Sequence, residues 1–279
     1  SDVTACDASL KGTVTDAAGD PVAASTTAIS GSEKQYQRSS FEYQYLAKLT
    51  YLLNQDHSFT ASVWGNPSSA DGPVGDMVGP LSAFDQHNEG NTYDLALKWN
   101  GSFLEKHILA EAQIAWHHQY GNTTPHDPLN ANLPGVIWAR PHSVTEFEPD
   151  AAKFCGEDDA TKDYPSCRVV GYSSGGPGFN FALEKTILDR YTGRLALTNL
   201  FRAAGHHEVK YGVDYELMSF DHTFAYSGTV VLRERSYGYT DYRRFGYLNG
   251  PDNPVFLDNF RATSRTTSLA GFAQDSYHI

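Results

Sequence analysis

Several groupings in this 279-residue chain have residue types that could do chemistry. Gly171-Tyr172-Ser173-Ser174-Gly175 matches the G-x-S-x-G elbow of hydrolases, in which a strand turns sharply into a helix and exposes the serine. Arg168-Val169-Val170 could supply the strand, but Gly175-Gly176-Pro177-Gly178 cannot start a helix. The match therefore reads as a serine-rich loop, and the chain is not expected to be an enzyme. His117-His118 and His206-His207 are adjacent pairs in strand-like sequence. Neighbouring strand residues point to opposite faces, so such a pair cannot easily share one metal, and each is expected at an interface. Glu157-Asp158-Asp159, with Asp163, offers oxygen ligands but lacks EF-hand spacing, so it reads as a solvated acidic loop. No metal and no cofactor is expected.

Two further groupings concern structure and recognition. Cys155 and Cys167 flank a Gly-, Asp- and Pro-rich stretch, as a loop disulfide would, which suits an oxidising compartment. The alternative is unrelated free thiols, and Cys6 has no evident partner. Loop residues rich in Tyr and Arg are the candidates for ligand contact, because both types serve recognition well. The densest cluster is Tyr237, Tyr239, Tyr242, Arg243, Arg244 and Tyr247; Tyr164, Tyr172, Phe179, Phe224 and Tyr226 accompany it. The same residues would also serve to stitch long loops together.

The elements that must position these residues are strands. Period-2 alternation dominates and recurs. From Phe41 to Leu53 the odd positions are apolar (Phe41, Tyr43, Tyr45, Ala47, Leu49, Tyr51, Leu53) and the even ones mostly polar. The pattern returns at Phe59, Ala61, Val63; at Tyr93, Leu95, Leu97, Trp99; and at Ile108 to Trp116. It returns again at Tyr191 to Leu197 and at Val209 to Leu217, and less cleanly from Thr266 to Ile279. Seven strands are expected. Their connections alternate: 54–57, 101–106 and 202–206 are short, whereas 66–91, 119–190 and 221–265 are long. Short turns on one side and long loops on the other is the arrangement of an outer-membrane barrel.

Composition agrees. No run approaches the ~20 apolar residues of a membrane helix, a test that leaves barrels untouched. The excess of 33 acidic over 21 basic residues argues against nucleic acid as a partner. With long loops outside, Tyr43, Tyr45, Tyr93, Trp116 and Tyr191 fall near the outer rim; Tyr51, Phe59, Trp99, Phe201 and Tyr211 fall near the inner rim. Two aromatic belts at the water interfaces are what a lipid-facing strand array needs. The opposite face carries Glu42, Lys48, Asp94, Lys98, Glu111, Arg194, Lys210, Asp214 and Glu216. In lipid each would cost about 2–4 kcal/mol, so this face is expected to line a wet lumen or touch an internal plug. Seven strands do not close a barrel, so the expected architecture is an all-β, antiparallel transmembrane barrel fragment. Its expected parts are an extracellular loop remnant (1–40) and a partial barrel (41–279). A passive channel and a soluble β-sandwich binding module are the rival readings.

The closing stretch, Leu269-Ala270-Gly271-Phe272-Ala273-Gln274-Asp275-Ser276-Tyr277-His278-Ile279, resembles the FxQDxW/Y strand of TonB-dependent outer-membrane receptors. Tyr45 to Tyr51, Gly175 to Phe179, Leu188 to Tyr191, His207 to Asp214 and Asp241 to Gly246 are similar to phrases in that family's large-loop branch. The resemblance covers 41–279. It implies a barrel of about 22 strands plugged by an N-terminal domain. It further implies uptake of a scarce ligand (siderophore, vitamin, glycan or peptide) driven by the TonB complex, in contact with outer-membrane lipid. No plug, TonB box or terminal barrel strand is recognisable in this sequence, so the TonB complex would act through a plug outside it. Gly12 to Val22 resembles a carboxypeptidase-regulatory-like domain, but its Gly and Pro punctuation favours a loop hairpin.

Overall fold

The computed structural model describes residues 34–75, 78–155, 167–177, 183–235, 237–238 and 240–278. The chain builds β1 (Ser39–Glu42), β2 (Tyr45–Leu52), β3 (His57–Gly65), β4 (Ser68–Pro73), β5 (Asp85–Phe103) and β6 (Ile108–Pro125). Short β7 (Gly135–Trp138) and β8 (His142–Ser143), helix α1 (Val144–Phe147), β9 (Arg168–Val169) and β10 (Tyr172–Gly175) follow. Then come β11 (Leu183–Arg202), β12 (His206–Ala225), β13 (Val231–Glu234), β14 (Thr240–Arg243), β15 (Phe245–Leu248), β16 (Pro254–Leu257) and β17 (Phe260–His278). Among the described residues, no helix is long and apolar enough to cross a membrane.

One antiparallel sheet dominates, running β1/β2–β3/β4–β5–β6–β11–β12–β17. β1 with β2, and β3 with β4, are two strands interrupted once each. The interruption falls at Pro67, which has no N–H to give the ladder. Register continues across it: Glu42 faces Ser68, Tyr45 faces Gly65, and Tyr43 N donates to Pro67 O at 3.0 Å. Among the described residues the wall is thus a seven-strand up-and-down meander, as the alternation predicts. The lower connections are tight. In the first, Asn54 Oδ1 accepts from the amides of Asp56 and His57, each at 2.8 Å, a side-chain-closed turn.

The upper halves correct the expected loop boundaries. Segments 66–91, 119–190 and 221–265 are not loop throughout. β4 and β5 pair up to Pro73 and Asp85, β6 runs to Pro125, β11 begins at Leu183, β12 runs to Ala225, and β17 begins at Phe260. The physical reason is height. A strand of 19 or 20 residues spans roughly 65 Å, which at the usual tilt rises roughly 45 Å against an apolar band of about 25 Å. The excess stands in water on both sides, so the apolar alternation that marks a membrane strand is absent there.

The wall is a single layer and hides little of itself. A compact apolar core lies in the upper connections instead. There Val144, Cys155, Cys167, Val169 and Tyr172 are buried, with Val78, Trp138, Phe147, Ala151 and Phe154 packed around them. A four-stranded sheet, β10–β7–β13–β14, joins the two longest connections. Its central pair, β7 and β13, is parallel, with Gly135 facing Val231.

Candidate functional site

The registers fix which side chains share a face. One lateral row reads Ala47–Val63–Leu95–Trp116–Tyr191–Leu217–Thr267. A lower one reads Leu49–Ala61–Leu97–Ile114–Gly193–Tyr215–Leu269, and the next Tyr51–Phe59–Trp99–Ala112–Leu195–Val213–Gly271. These apolar side chains are open to the surroundings: Leu49 is 71 % exposed, Ile114 63 % and Leu269 75 %. In a water-soluble sheet that exposure would be a liability; in a barrel wall it is the lipid face. Tyr43, Tyr45, Tyr93, Trp116 and Tyr191 lie on this face above its middle, and Tyr51, Trp99 and Tyr211 on it below. Trp116 stacks with Tyr191 at 6.5 Å, and Tyr93 with His118 at 6.2 Å. Tyr45 lies across Gly65, where any Cβ would collide with its ring.

The alternate residues make the other face. Its rows read Thr50–Thr60–Lys98–Gln113–Arg194–Asp214–Ala270 and Lys48–Ser62–Ala96–Ala115–Thr192–Glu216–Ser268. Lys98 Nζ meets Glu111 at 3.1 Å, Arg194 meets Asp214 at 3.6 Å, and the Arg194 guanidinium sits over the Phe272 ring. Such half-exposed pairs add little stability. Their use is to make a polar inner wall.

The histidine pairs divide between the faces as adjacent strand residues must. His117 Nδ1 meets Asp94 at 2.8 Å on the inner face, and His118 Nδ1 meets Asp189 at 2.9 Å on the outer one. Trp116 Nε1 donates to the same Asp189 carboxylate. His207 lies at the lower end of β12, against Phe201 and Tyr277 and 2.8 Å from Asp275.

The upper platform holds the other sequence candidates. Cys155 and Cys167 are joined by a disulfide with Cα atoms 5.7 Å apart. Beside it Phe147 stacks flat on Tyr172 at 4.2 Å, and Tyr172 Oη donates to Glu148. Burial, with the Glu148 carboxylate adjoining, pushes the Tyr172 phenol far above its ordinary value. His142 ties the two longest connections together: Nδ1 meets Glu146 at 3.0 Å and Nε2 meets Glu234 at 2.9 Å. Burial opposes its charge, but the two carboxylates outweigh burial and hold the imidazole above its usual value. Glu234 also accepts from the Arg140 amide, and these donors outweigh its burial and hold its carboxyl below the ordinary range. Asp241 is clamped by Arg233 and Arg235, which lower its carboxyl in the same way.

The Tyr and Arg candidates are distributed over two sheets. Tyr242 and Arg243 lie on β14, exposed; Tyr237 is in the turn before it, 86 % exposed; Tyr247 is on β15. Arg244, between them, donates to Thr229 Oγ1 and lies over the Phe256 ring at 4.8 Å. Tyr239, Tyr164, Phe179, Cys6, the Gly12–Val22 segment and the acidic stretch at 157–163 lie outside the described residues. Ser173 sits in β10, where its amide donates to Val78 O at 2.8 Å, a strand position rather than an elbow.

Sequence reasoning passed over Phe245, Phe260, Phe220 and His222. Phe245 stacks on Tyr226 at 4.6 Å and packs on Phe224 at 5.6 Å and Phe260 at 6.3 Å. The spacing of Phe220, His222, Phe224 and Tyr226 was available as a signal. It lies on the opposite phase from the Val209–Leu217 alternation, which masks it.

No family model matches the chain. The chain is 35 % identical over 282 aligned residues, 90 % of its length, to the TonB-dependent transporter Oar of Myxococcus xanthus. The resemblance is to a TonB-dependent transporter. It spans about a quarter of that relative, 26 % of its length. The outer membrane transporter YddB from Escherichia coli has the same fold: the TM-score is 0.53, over 95 % of this chain and 27 % of that one, at 12 % identity. The fold is therefore that of a stretch of outer-membrane β-barrel wall, and the two likenesses together indicate a bacterial outer-membrane location.

Proposed function

We propose that this chain is the wall and outer-loop portion of a TonB-dependent transporter that takes up a scarce ligand. The observation that supports this most is the two-sidedness of one seven-strand sheet. Apolar rows face lipid, charged rows face the lumen, and the described parts of the long connections build a platform on one side. In this reading residues 41–279 are barrel, and the segment before them belongs to an outer loop. Tyr43, Tyr45, Tyr93, Trp116 and Tyr191 form the outer aromatic belt, and Tyr51, Trp99 and Tyr211 the inner one.

The platform captures ligand through Tyr237, Tyr239, Tyr242, Arg243, Arg244 and Tyr247. The inner wall adjoins a plug, and the TonB complex acts through that plug to release the ligand inward. The chemistry is binding and movement, not bond-making. The test is uptake by cells carrying the full-length receptor. Removal of the β15–β16 hairpin lowers growth on one limiting nutrient (an iron chelate, a vitamin, a glycan or a peptide) while the receptor stays in the outer membrane. Loss of TonB abolishes the same growth. Unchanged growth on every nutrient in both strains rejects the reading.

A further inference from the structure

The pattern of β12 inverts part-way up. From Val209 to Leu217 the odd residues are apolar and face lipid, while Lys210, Asp214 and Glu216 face the lumen. Above Met218 the lipid side becomes Ser219, Asp221 and Thr223, and the lumen side becomes Phe220, His222 and Phe224. The outer change is explained by the strand leaving the lipid. On the inner side Phe224 packs on Phe245 of the platform hairpin, but the ring contacts of Phe220 and His222 run along β12 itself, and a wet mouth needs no aromatic side chains there.

These rings form a continuous ladder. Centroids are 6.0 Å apart from Phe220 to His222, 6.0 Å from His222 to Phe224 and 6.3 Å from Phe224 to Tyr226. The ladder then passes to Phe245 of the platform hairpin. It therefore leads from the exposed Tyr and Arg residues down into the lumen. Beside its middle the flanks are uncharged, between Glu184 above and Arg190 below on β11. On the same face, β11 sets Thr186 opposite His222 and Leu188 opposite Phe220, and β17 sets Ser264 opposite Phe220. Among the described residues, this part of the face holds one ionic pair, His222 with Glu184 at 2.9 Å.

We propose that the ladder is a binding track for a neutral oligosaccharide. Sugar rings present apolar C–H faces that lie on aromatic rings, and hydroxyl edges that bond to Ser, Thr and the His–Glu pair. A track of rings with the Thr186 and Ser264 hydroxyls beside it suits that ligand, and Arg190, one register pair below Leu188 on the same face, marks where the charged part of the lumen wall begins. The proposal rests on the transporter reading and names its substrate class.

The test uses purified full-length receptor. Maltohexaose, cellohexaose and chitohexaose are titrated, with ferrichrome, cyanocobalamin and hexa-alanine as other classes; saturation-transfer NMR reports ring contact. One hexasaccharide is expected to bind with saturation of its C–H faces. Phe220→Ala weakens it about tenfold, Phe220→Trp retains it, and Thr223→Ala on the outward face leaves it unchanged. The proposal is overturned if none of the saccharides binds, or if another class binds and depends on Phe220. It is equally overturned if Phe220→Ala lowers the melting temperature but not the affinity. Whole-cell uptake separates these results from failure of the transporter reading: a receptor that takes up some other class refutes the track alone, whereas one that takes up nothing refutes both.

Discussion

Phe245 lies flat on Tyr226, with ring centroids 4.6 Å apart and planes 13° from parallel. That stack joins the β15–β16 hairpin to the top of β12. The hairpin's own ladder is only four residue pairs long, from Phe245–Leu257 to Leu248–Pro254. A two-stranded ribbon of that size is marginal alone, so its order depends on being docked.

Phe245→Ala therefore undocks the hairpin. An aromatic pair is worth about 0.5–1.5 kcal/mol beyond its buried area. Amide exchange across Phe245–Leu257 is expected to speed by about tenfold, with β11 and β12 unchanged. Exchange-mass spectrometry reads both in one experiment, and equal speeding in β12 would mean that the hairpin is not a separate unit.

The disulfide makes a second local prediction. Cys155 and Cys167 belong to the small core with Val144, Val169 and Tyr172. Closing a loop of this length is worth roughly 3 kcal/mol in the chain-entropy account. Reduction, or Cys155→Ser with Cys167→Ser, should open α1 and β9 to protease while the barrel strands stay resistant. Unaltered cleavage would show that the core holds without its bridge.

The His142 tie makes the platform pH-dependent. Its imidazole is held above the ordinary value of 6.5, so the stabilisation it brings is complete below about pH 6.5 and is lost as pH rises through the folded value. Glu234 is held below its ordinary value, so its share is present above the usual carboxylate range and is lost on acidification. Contact between the two longest connections should be tightest in mildly acidic solution and loosen toward alkaline pH. A spin-label distance between them, followed against pH, reads this, and His142→Gln should flatten the alkaline limb.

The legibility of the chain follows the same physics. Val209, Tyr211, Val213, Tyr215 and Leu217 announce a strand because lipid on one side and water on the other force strict alternation. Asn88 to Thr92 and Gly121 to Thr124 stand in water on both sides, so nothing in their types distinguishes a strand from a loop. Phe220, His222 and Phe224 do alternate, but in the opposite phase, so the alternation that marks the strand stops where its sides exchange. The β7–β13 pairing joins Gly135 to Val231 across 96 positions of sequence, and no local pattern encodes so distant a parallel contact. The Tyr and Arg residues were visible as a composition, while their distribution over two sheets depends on those distant pairings.

The two faces should differ sharply in tolerance. Ile114 lies in the middle of the lipid rows, and Gln113 beside it faces the lumen with Arg194. In the full-length receptor, Ile114→Lys should cost about 2–4 kcal/mol of folding free energy in vesicles, and Gln113→Lys well under half of that. Denaturant titration of the refolded receptor measures both. Equal costs would remove the distinction between faces.

The most direct test of the account is an accessibility scan along β12. A nitroxide amino acid, which leaves the native cysteines untouched, is placed singly at each position from 209 to 224 of the full-length receptor in outer-membrane vesicles. The account predicts high oxygen and low aqueous-nickel accessibility at 211, 213, 215 and 217. It predicts that this oxygen signal disappears at 219, 221 and 223, where the outward side meets water. Oxygen maxima at the even positions, or an oxygen pattern that continues unchanged through 223, would contradict it.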